Sequence, residues 1–276
     1  MQNDQQHDSQ REILAWLWSG VGFEVVESMP IGDRGFRYGM SVFESFPVRN
    51  GVALFLPEHL ERLRDACGAT GLLAPPDTLA QCEQVLKQSG TGFARIYVTA
   101  GDGPVTGAFD ACRVLIFVEA RDPIPARVYH RGYDLALHPG GHAPLFPGLK
   151  TGNYWANLKT FREGVAAQRN ETLLFTPAGH LISACMANVF LVRAGILHTP
   201  DLSTGARAGV VRQWVMQQTE VRQSLLTRAD VEAAEEIFLT SSWLGIMPAA
   251  SLENRPLQRA IGTQLLDAWR KNIEPR

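Results

Sequence analysis

Residues 148–159 read GLKTGNYWANLK, with one lysine before and one lysine after a tyrosine and a tryptophan. Lysine is rare in the rest of the chain, where arginine supplies most of the positive charge. Two interpretations of the stretch are open. It is a helix start with two solvated lysines, or one lysine is a nucleophile that forms a Schiff base with a carbonyl group.

The composition indicates an ordinary globular protein that divides into two domains. The chain has 276 residues, of which 45% are hydrophobic and 20% charged, and its formal charge is −2. It can therefore bury a sizeable core. Basic residues form no long run, so neither nucleic acid nor an anionic membrane is expected as a partner.

The same sequence features predict a cytoplasmic protein without metal. The start MQNDQQHDSQ has no signal-peptide pattern and is interpreted as a frayed, disordered tail at residues 1–10. The four cysteines are scattered, at Cys67, Cys82, Cys112 and Cys185. They form no CxxC pair, which argues against a zinc site or a disulfide framework. His138 and His142 lie in the loop HPGGH without a nearby carboxylate, so no metal site is predicted there.

The first half of the chain is predicted to be an α/β domain at residues 1–120. Strands are predicted in EILAWLW, FEVVES and SVFESFPVRNGVALFL, the last being a hairpin with Asn50 and Gly51 in its turn. PEHLERLRDACGATGL, which begins at Pro57, and TLAQCEQVLKQ are predicted helices. FARIYVTAG and CRVLIFVEA are strands around a glycine-rich loop. Two prolines and no periodicity in RDPIPARVYHRG predict an interdomain linker at 121–130.

The second half is predicted to be another α/β domain, at residues 131–276. YDLALH, ETLLFT, VFLVRAG and AEEIFLTSS are predicted strands. YWANLKTFREGVAAQ and the segment after TGARAG are predicted helices, and the chain ends in a helix.

Three segments offer groups that bind an anion. STGARAGVVRQ presents backbone N–H groups at a helix start, together with the positive end of the helix dipole. LTSS adds hydroxyl donors at the end of a strand. Arg62, in HLERL, supplies a guanidinium that can bind an anion with two hydrogen bonds. Each feature alone is also typical of an ordinary cap, loop or surface arginine.

The order of these segments resembles that of the class IV aminotransferases. These fold type IV enzymes of pyridoxal phosphate include branched-chain and D-amino acid aminotransferases and aminodeoxychorismate lyase. The matching segments are DRGFRYGMSVFES (33–45), HLERL (59–63), ARIYVTAGDG (94–103), LKTGNY (149–154), ANVFLV (187–192), ILHTPDLSTGARAGVVRQ (196–213) and AEEIFLTSSWLGIMPA (234–249). The resemblance implies an α+β fold of two α/β domains, like that of D-amino acid aminotransferase, with pyridoxal phosphate as cofactor.

The resemblance also implies roles for individual residues. Lys150 falls where the family has the lysine that bonds covalently to the cofactor, and it is the predicted catalytic residue in the C-terminal domain. Tyr154 falls where a tyrosine commonly bonds the cofactor's phenolic oxygen. Lys159 is then an ordinary helix lysine. A lysine attacks a carbonyl only as the neutral amine, which desolvation and nearby positive charge favour.

The remaining predicted contacts are to the cofactor and the substrate. The resemblance implies that the phosphate contacts are Arg62, the backbone of Val210 and Val211, and Ser242. Asn188, in ANVFLV, is a further predicted cofactor-binding residue. Three residues fall near positions that face the substrate in family members: Tyr38, Arg95 and Tyr97.

One position departs from the family pattern. A glutamate normally lies five residues before the asparagine of the N-hydrophobic-F motif, where its carboxylate pairs with the pyridine nitrogen. In HLISACMANVF, the ungapped match to Asn188 puts Ser183 at that place. Ser183 is thus the predicted partner of the nitrogen. Without a carboxylate, the ring loses its proton more easily and becomes a weaker electron sink.

Three functions are therefore open. The first is an aminotransferase that moves an amino group between an amino acid and a 2-oxo acid; RYGMSVFE favours a branched-chain substrate. The second is a lyase, either eliminating or acting on an aminodeoxychorismate-like ring. The third is a catalytically silent binding protein. Transamination ranks first because Lys150, Tyr154 and the phosphate-binding residues are retained together. The resemblance also implies a homodimer.

Overall fold

The computed structural model describes residues 13–75 and 77–273, so the tail predicted at 1–10 lies outside the described residues. The chain divides into two compact units. One comprises Met1–Pro123 and Lys150–Asn153, and the other comprises Ile124–Leu149 and Tyr154–Arg276.

A six-stranded antiparallel sheet forms the first unit. Its strands are β1 (Ile13–Trp18), β2 (Phe23–Val25), β3 (Ser41–Arg49), β4 (Val52–Ala53), β5 (Gly92–Thr99) and β6 (Arg113–Ala120). They lie in the order β2-β1-β6-β5-β3-β4. The helices of this unit are α1 (Arg34–Tyr38), α2 (Leu56–Thr70) and α3 (Thr78–Leu86).

Local sequence accounts for the hairpin and for the long helix of this unit. Asn50 and Gly51, with φ of 49° and 78°, form the predicted turn between β3 and β4. Helix α2 has Pro57 in its first turn, where a missing N–H costs no hydrogen bond. It ends at Gly71, whose φ of 74° is easily adopted by glycine. The hairpin and the helix are therefore confirmed.

Helix α1 is absent from the sequence prediction. It forms because Asp33 caps its start: the Asp33 carboxylate accepts a hydrogen bond from the Gly35 N–H at 2.7 Å. Gly39, with φ of 69°, ends the helix, and β3 begins two residues later at Ser41. Five residues are too few for a helical period to be visible in the sequence.

A nine-stranded mixed sheet forms the second unit. Its strands are β7 (Tyr133–Gly141), β8 (Glu171–Phe175), β9 (Leu181–Ala184), β10 (Asn188–Arg193), β11 (Ile196–Pro200), β12 (Arg222–Ser224), β13 (Glu236–Ser241), β14 (Gly245–Leu252) and β15 (Arg255–Pro256). The order is β12-β11-β10-β13-β14-β7-β8-β9, and β15 pairs with β14. The helices are α4 (Ala126–Arg131), α5 (Trp155–Ala166), α6 (Val210–Gln218), α7 (Arg228–Glu232) and α8 (Ala260–Asn272), with a 3₁₀ turn at Leu202–Thr204.

A buried carboxylate joins the last helix to this sheet. Glu236, at the start of β13, accepts hydrogen bonds from Ile261 N–H at 3.0 Å and Gly262 N–H at 2.5 Å. These N–H groups lie in the first turn of α8, where a negative charge also interacts favourably with the helix dipole. Glu236 therefore caps α8 from outside the helix.

The second unit begins earlier than the sequence predicts. Residues 124–130, assigned to a linker, belong to the second unit and include most of α4. Tyr129 of this helix is buried and donates a hydrogen bond to the Leu244 carbonyl at 2.9 Å. The short helix is thus packed into its unit. The boundary between the units, after Pro123, lies inside the predicted linker at 121–130, but residues 126–130 of that stretch are helical.

Lys150 is also placed differently from the prediction. It lies in a segment that clusters with the first unit, although the sequence assigns it to the C-terminal domain. Two backbone hydrogen bonds explain this placement, one from Phe43 N–H to the Lys150 carbonyl and one from Gly152 N–H to the Ser41 carbonyl, both at 2.9 Å. The segment thus pairs with the first residues of β3.

Sheets and helices together make this an α+β fold, as predicted. Within residues 13–75 and 77–273, no helix has the length and apolarity needed to cross a bilayer.

Candidate functional site

The side chain of Lys150 is held against one face of the first sheet. Its amine donates a hydrogen bond to the Ser45 hydroxyl at 3.0 Å. The same amine lies 5.1 Å from the centre of the Phe43 ring. Phe43 and Ser45 are two residues apart on β3 and therefore point to the same side. A half-buried primary amine thus has an adjacent hydroxyl and an aromatic ring.

An aromatic row continues from Phe43 along this face. The Tyr97 ring stacks on Phe43 at 4.8 Å and on Phe117 at 5.6 Å. The Arg95 guanidinium lies 5.4 Å from the Phe117 ring centre and 3.6 Å from the Glu119 carboxylate. Two residues predicted to face the substrate, Arg95 and Tyr97, therefore belong to the same face as Lys150.

Arg62 belongs to a buried ionic cluster. Its guanidinium donates to the Glu44 carboxylate at 2.7 Å, and the other Glu44 oxygen lies 2.7 Å from Nδ1 of His59. Burial by itself would raise the pKa of Glu44. The His59 hydrogen bond and the charges of Arg62 and Lys150 outweigh burial and lower that pKa to about 2. Glu44 is therefore ionised at neutral pH.

Tyr38, the third residue predicted to face the substrate, lies at the end of α1. It is 42% exposed. Its ring lies 4.9 Å from the Arg37 guanidinium, in a cation–π contact.

The start of α6 in the second unit has the features of an anion-binding helix terminus. Val210 and Val211 are the first residues of the helix, and their side chains are buried. Gly209, the N-cap residue, has no side chain that could cap the helix. The first N–H groups and the positive end of the dipole form a helix terminus of the kind that binds anions.

Asn188 supports the turn that leads into α6. Its amide donates to the Arg207 carbonyl at 2.8 Å. A β-carbon at position 209 would collide with the Asn188 Oδ1, so glycine is required there. Asn188, predicted to bind the cofactor, thus contacts in the structure the backbone that leads into α6.

Three consecutive hydroxyl residues, Thr240, Ser241 and Ser242, lie at the end of the neighbouring strand β13. Thr240 lies directly opposite Asn188 in the β10–β13 ladder, so both side chains are on one face. The Thr240 hydroxyl is buried and has no hydrogen-bond partner among the described residues. Ser242 follows β13 and is half-buried. An orphaned buried hydroxyl beside a helix start with glycine at its N-cap is the arrangement expected where a polar ligand completes the hydrogen bonding.

Tyr154 lies at the start of α5. Its hydroxyl donates to the Cys185 carbonyl at 3.5 Å. Burial raises the pKa of Tyr154, an effect that the positive charge of Arg207 opposes. The tyrosine therefore stays protonated, as a hydrogen-bond donor, at neutral pH. Lys159, on the same helix, is exposed and paired with Glu163, as predicted for an ordinary helix lysine.

Ser183 lies on β9 opposite Leu174 and is half-buried. The buried acid Glu171 lies on the adjacent strand β8. Its carboxylate accepts hydrogen bonds from the N–H groups of Thr172, Cys185 and Met186 at 2.9–3.1 Å. Burial raises the pKa of Glu171 to about 7, although these three hydrogen bonds lower it. Glu171 is thus directed at the turn after Ser183.

Sequence reasoning missed four of these residues: Glu44, Ser45, His59 and Glu171. A signal for Glu44 was present, because the one charged residue of the strand segment SVFESF must be paired when it is buried. Its partners could not be read from the sequence, since His59 and Arg62 lie on a separate helix.

Comparison with known proteins assigns the family. The model of the amino-transferase class IV family matches residues 41–252. The chain therefore belongs to this family, and the fold is fold type IV, as the resemblance implied.

Individual relatives in the family have different activities. Aminodeoxychorismate lyase from Bacillus subtilis (strain 168) is 29% identical over 80% of this chain and 80% of its own. A putative branched-chain-amino-acid aminotransferase from Methanocaldococcus jannaschii is 26% identical over 81% of this chain and 82% of its own. The structure of 4-amino-4-deoxychorismate lyase from Pseudomonas aeruginosa is 27% identical, with a TM-score of 0.84, covering 95% of this chain and all of that one.

Proposed function

We propose that the chain is a pyridoxal-phosphate-dependent lyase that acts on an amino-bearing, aminodeoxychorismate-like ring. Amino acid transamination is the second candidate. The observation that carries the proposal is the Ser45 hydroxyl 3.0 Å from the Lys150 amine. The two relatives that are aminodeoxychorismate lyases support the same reaction.

The residues present fit pyridoxal phosphate. In the first unit, Lys150 would bond to the cofactor and Arg62 would contact its phosphate. In the second unit, the α6 start, with glycine at its N-cap and the orphaned Thr240 hydroxyl nearby, would suit a phosphate. Ser242 would add a hydroxyl and Tyr154 a hydrogen bond to the phenolic oxygen. When bound, the cofactor supplies a carbonyl carbon for the amine and an electron-withdrawing ring.

The chemistry of the two reactions differs in how many protons must be handled. Transamination would move one proton between the Cα of the substrate and the C4′ carbon of the cofactor, and a single lysine amine can carry it. A lyase must take a proton from a ring carbon and deliver one to the leaving group. Lys150 and Ser45 together offer two proton-carrying groups in hydrogen-bond contact. Ser183, in place of a carboxylate, weakens the electron withdrawal on which transamination depends.

Transamination keeps a specific observation in its favour. Phe43, Tyr97 and Phe117 form an apolar row on the face that carries Lys150, which suits the side chain of a branched-chain amino acid. The aminotransferase relative from Methanocaldococcus jannaschii supports this candidate.

The first experiment tests cofactor attachment. The purified protein is incubated with pyridoxal phosphate, reduced with borohydride and digested, and the modified peptide is identified by mass spectrometry. We expect the label on Lys150 and none in Lys150→Ala, with Lys159→Ala as the matched control that stays labelled. A label retained in Lys150→Ala would exclude Lys150 as the nucleophile.

The second experiment separates the two reactions. The loaded enzyme is given an aminodeoxychorismate-type substrate, and pyruvate release is measured. It is then given a panel of amino acids, and conversion of the cofactor to its pyridoxamine form is followed by absorbance. Pyruvate release supports the lyase, whereas rapid conversion without pyruvate supports the aminotransferase. If the cofactor binds but neither reaction is observed, the result would support a catalytically silent binding protein.

A further inference from the structure

Glu44 is an unusual residue for its place in the fold. It lies in β3, where every residue except the last is buried, and it is itself only 4% exposed. A carboxylate moved from water into such a place is costly unless its charge is paired and its oxygens accept hydrogen bonds. Each Glu44 oxygen has one such partner: Arg62 on Oε1 and His59 on Oε2, both at 2.7 Å.

The geometry of the two elements produces this pairing. Glu44 and Ser45 are neighbours on a strand, so they point to opposite faces of the sheet. Ser45 contacts Lys150, and Glu44 faces α2. His59 and Arg62 are three residues apart on α2 and therefore lie on one side of the helix, a turn apart. One carboxylate can reach both.

His59 has little freedom of its own in this cluster. It is 1% exposed, and its ring packs 4.9 Å from the Phe46 ring. Phe46 is fully buried and lies two residues after Glu44 on the same face of β3. Oε2 of Glu44 is therefore tied to a fixed ring, which in turn fixes the direction of Oε1 toward Arg62.

We propose, on the basis of the function proposed above, that Glu44 is a positioning residue that orients Arg62 for the phosphate of the cofactor. A guanidinium is planar with five N–H donors in fixed directions, so a carboxylate on one nitrogen sets where the others point. The 20% of the Arg62 side chain that is exposed leaves it accessible to a ligand. Arg62 then loses its rotational freedom on folding rather than on binding, which favours affinity.

This role predicts selectivity for the phosphate group. Pyridoxal lacks the phosphate but keeps the ring and the aldehyde. Loss of Glu44 should therefore weaken the binding of pyridoxal phosphate and leave that of pyridoxal almost unchanged. A purely structural role would weaken both ligands together.

The test measures dissociation constants of pyridoxal phosphate and pyridoxal by fluorescence titration. The variant is Glu44→Gln, which keeps the size but removes the charge. Its matched control is Glu61→Gln, an exposed position beside Arg62 on the same helix. We expect about a 10- to 100-fold weaker affinity for pyridoxal phosphate only in Glu44→Gln, the range of one hydrogen bond to a charged group.

Glu44→Asp is a second variant in case Glu44→Gln fails to fold. Its shorter side chain cannot reach both partners, so the preference for the phosphorylated ligand should fall in the same direction. Equal weakening of both ligands, or an unchanged preference, would overturn the role of Glu44 alone. A wild-type protein that forms no reducible adduct and prefers neither ligand would overturn the proposed function, and the inference with it.

Discussion

The hydroxyl of Ser45 and the amine of Lys150 are 3.0 Å apart, and both belong to the first unit of the chain. The contact has a backbone basis, because the Lys150 carbonyl accepts a hydrogen bond from Phe43 N–H on the same strand as Ser45. The lysine is thus fixed to β3 at its main chain and at the tip of its side chain. The proposed lyase reaction would use both groups of this pair, whereas transamination would need only the lysine.

Removal of the hydroxyl should affect one reaction more than the other. In Ser45→Ala we expect pyruvate release to fall by about 100-fold or more, in the range of a lost general acid or base. Conversion of the cofactor by amino acids should change much less, since Lys150 alone carries that proton. Steady-state rates of both reactions check this.

Ser45→Thr is the matched control, because it keeps the hydroxyl and adds only a methyl group. It should retain most of the lyase activity. An equal loss of both reactions in Ser45→Ala would mean that Ser45 only holds Lys150 in place.

Gly152 sets how closely the lysine segment approaches β3. Its N–H donates to the Ser41 carbonyl, and an added β-carbon would collide with the Ser41 hydroxyl. We expect Gly152→Ala to displace the Lys150 segment and to slow formation of the reducible adduct. The rate of adduct formation at fixed pyridoxal phosphate measures this.

A double mutant tests whether that collision is the cause. Ser41→Gly removes the hydroxyl that the new methyl group would meet, so it should restore part of the rate to Gly152→Ala. Contacting residues are expected to show such non-additive effects. If the loss of rate in the double mutant equals the sum of the losses in Gly152→Ala and Ser41→Gly, the effect of Gly152→Ala does not come from this collision.

The sequence predicts this site only as far as its motifs are local. The α6 start was predicted from the chemistry of its own short segment, whereas the roles of Lys150 and Tyr154 were implied by the resemblance to the family. The partners of Arg62 depend on which strand faces α2, and the sequence does not specify that contact. The predicted linker contains the boundary between the units, but the prediction did not include α4. The two prolines precede this helix, and Pro125 is its N-cap. A proline just before a helix is compatible with it.

Glu171 is expected to stabilise the turn that follows Ser183. Its carboxylate accepts three backbone hydrogen bonds in a buried place. In Glu171→Gln an amide N–H₂ would face one of these donors, so we expect a loss of about 1–3 kcal/mol in the free energy of unfolding. Urea denaturation measures it. Exposed Glu163→Gln is the control and should change little.

The pH dependence of this contribution has a definite sign. The pKa of Glu171 rises from 4.5 to about 7 on folding. The native state therefore binds more protons than the unfolded state between these values, and stability from this group is full below pH 4.5 and lost as pH rises to about 7. The shift corresponds to about 3 kcal/mol.

Denaturation at several pH values would show this effect as a difference between two proteins. The advantage of wild type over Glu171→Gln should narrow as the pH rises from 4.5 to 7. A constant difference would mean that the Glu171 pKa is near its ordinary value and that hydrogen bonding, rather than burial, dominates its titration.

Ser183 allows a direct test of how the ring nitrogen is treated. A carboxylate at this position should stabilise the protonated ring and strengthen its electron withdrawal, so Ser183→Glu should raise the rate of any half-transamination. Stopped-flow absorbance of the loaded enzyme with excess amino acid measures that rate. Ser183→Gln, which has the same length without the charge, is the matched control and should leave the rate low. A rate that stays unchanged or falls in Ser183→Glu would mean that position 183 does not contact the nitrogen. An equal rise in both variants would assign the effect to side-chain length rather than to charge.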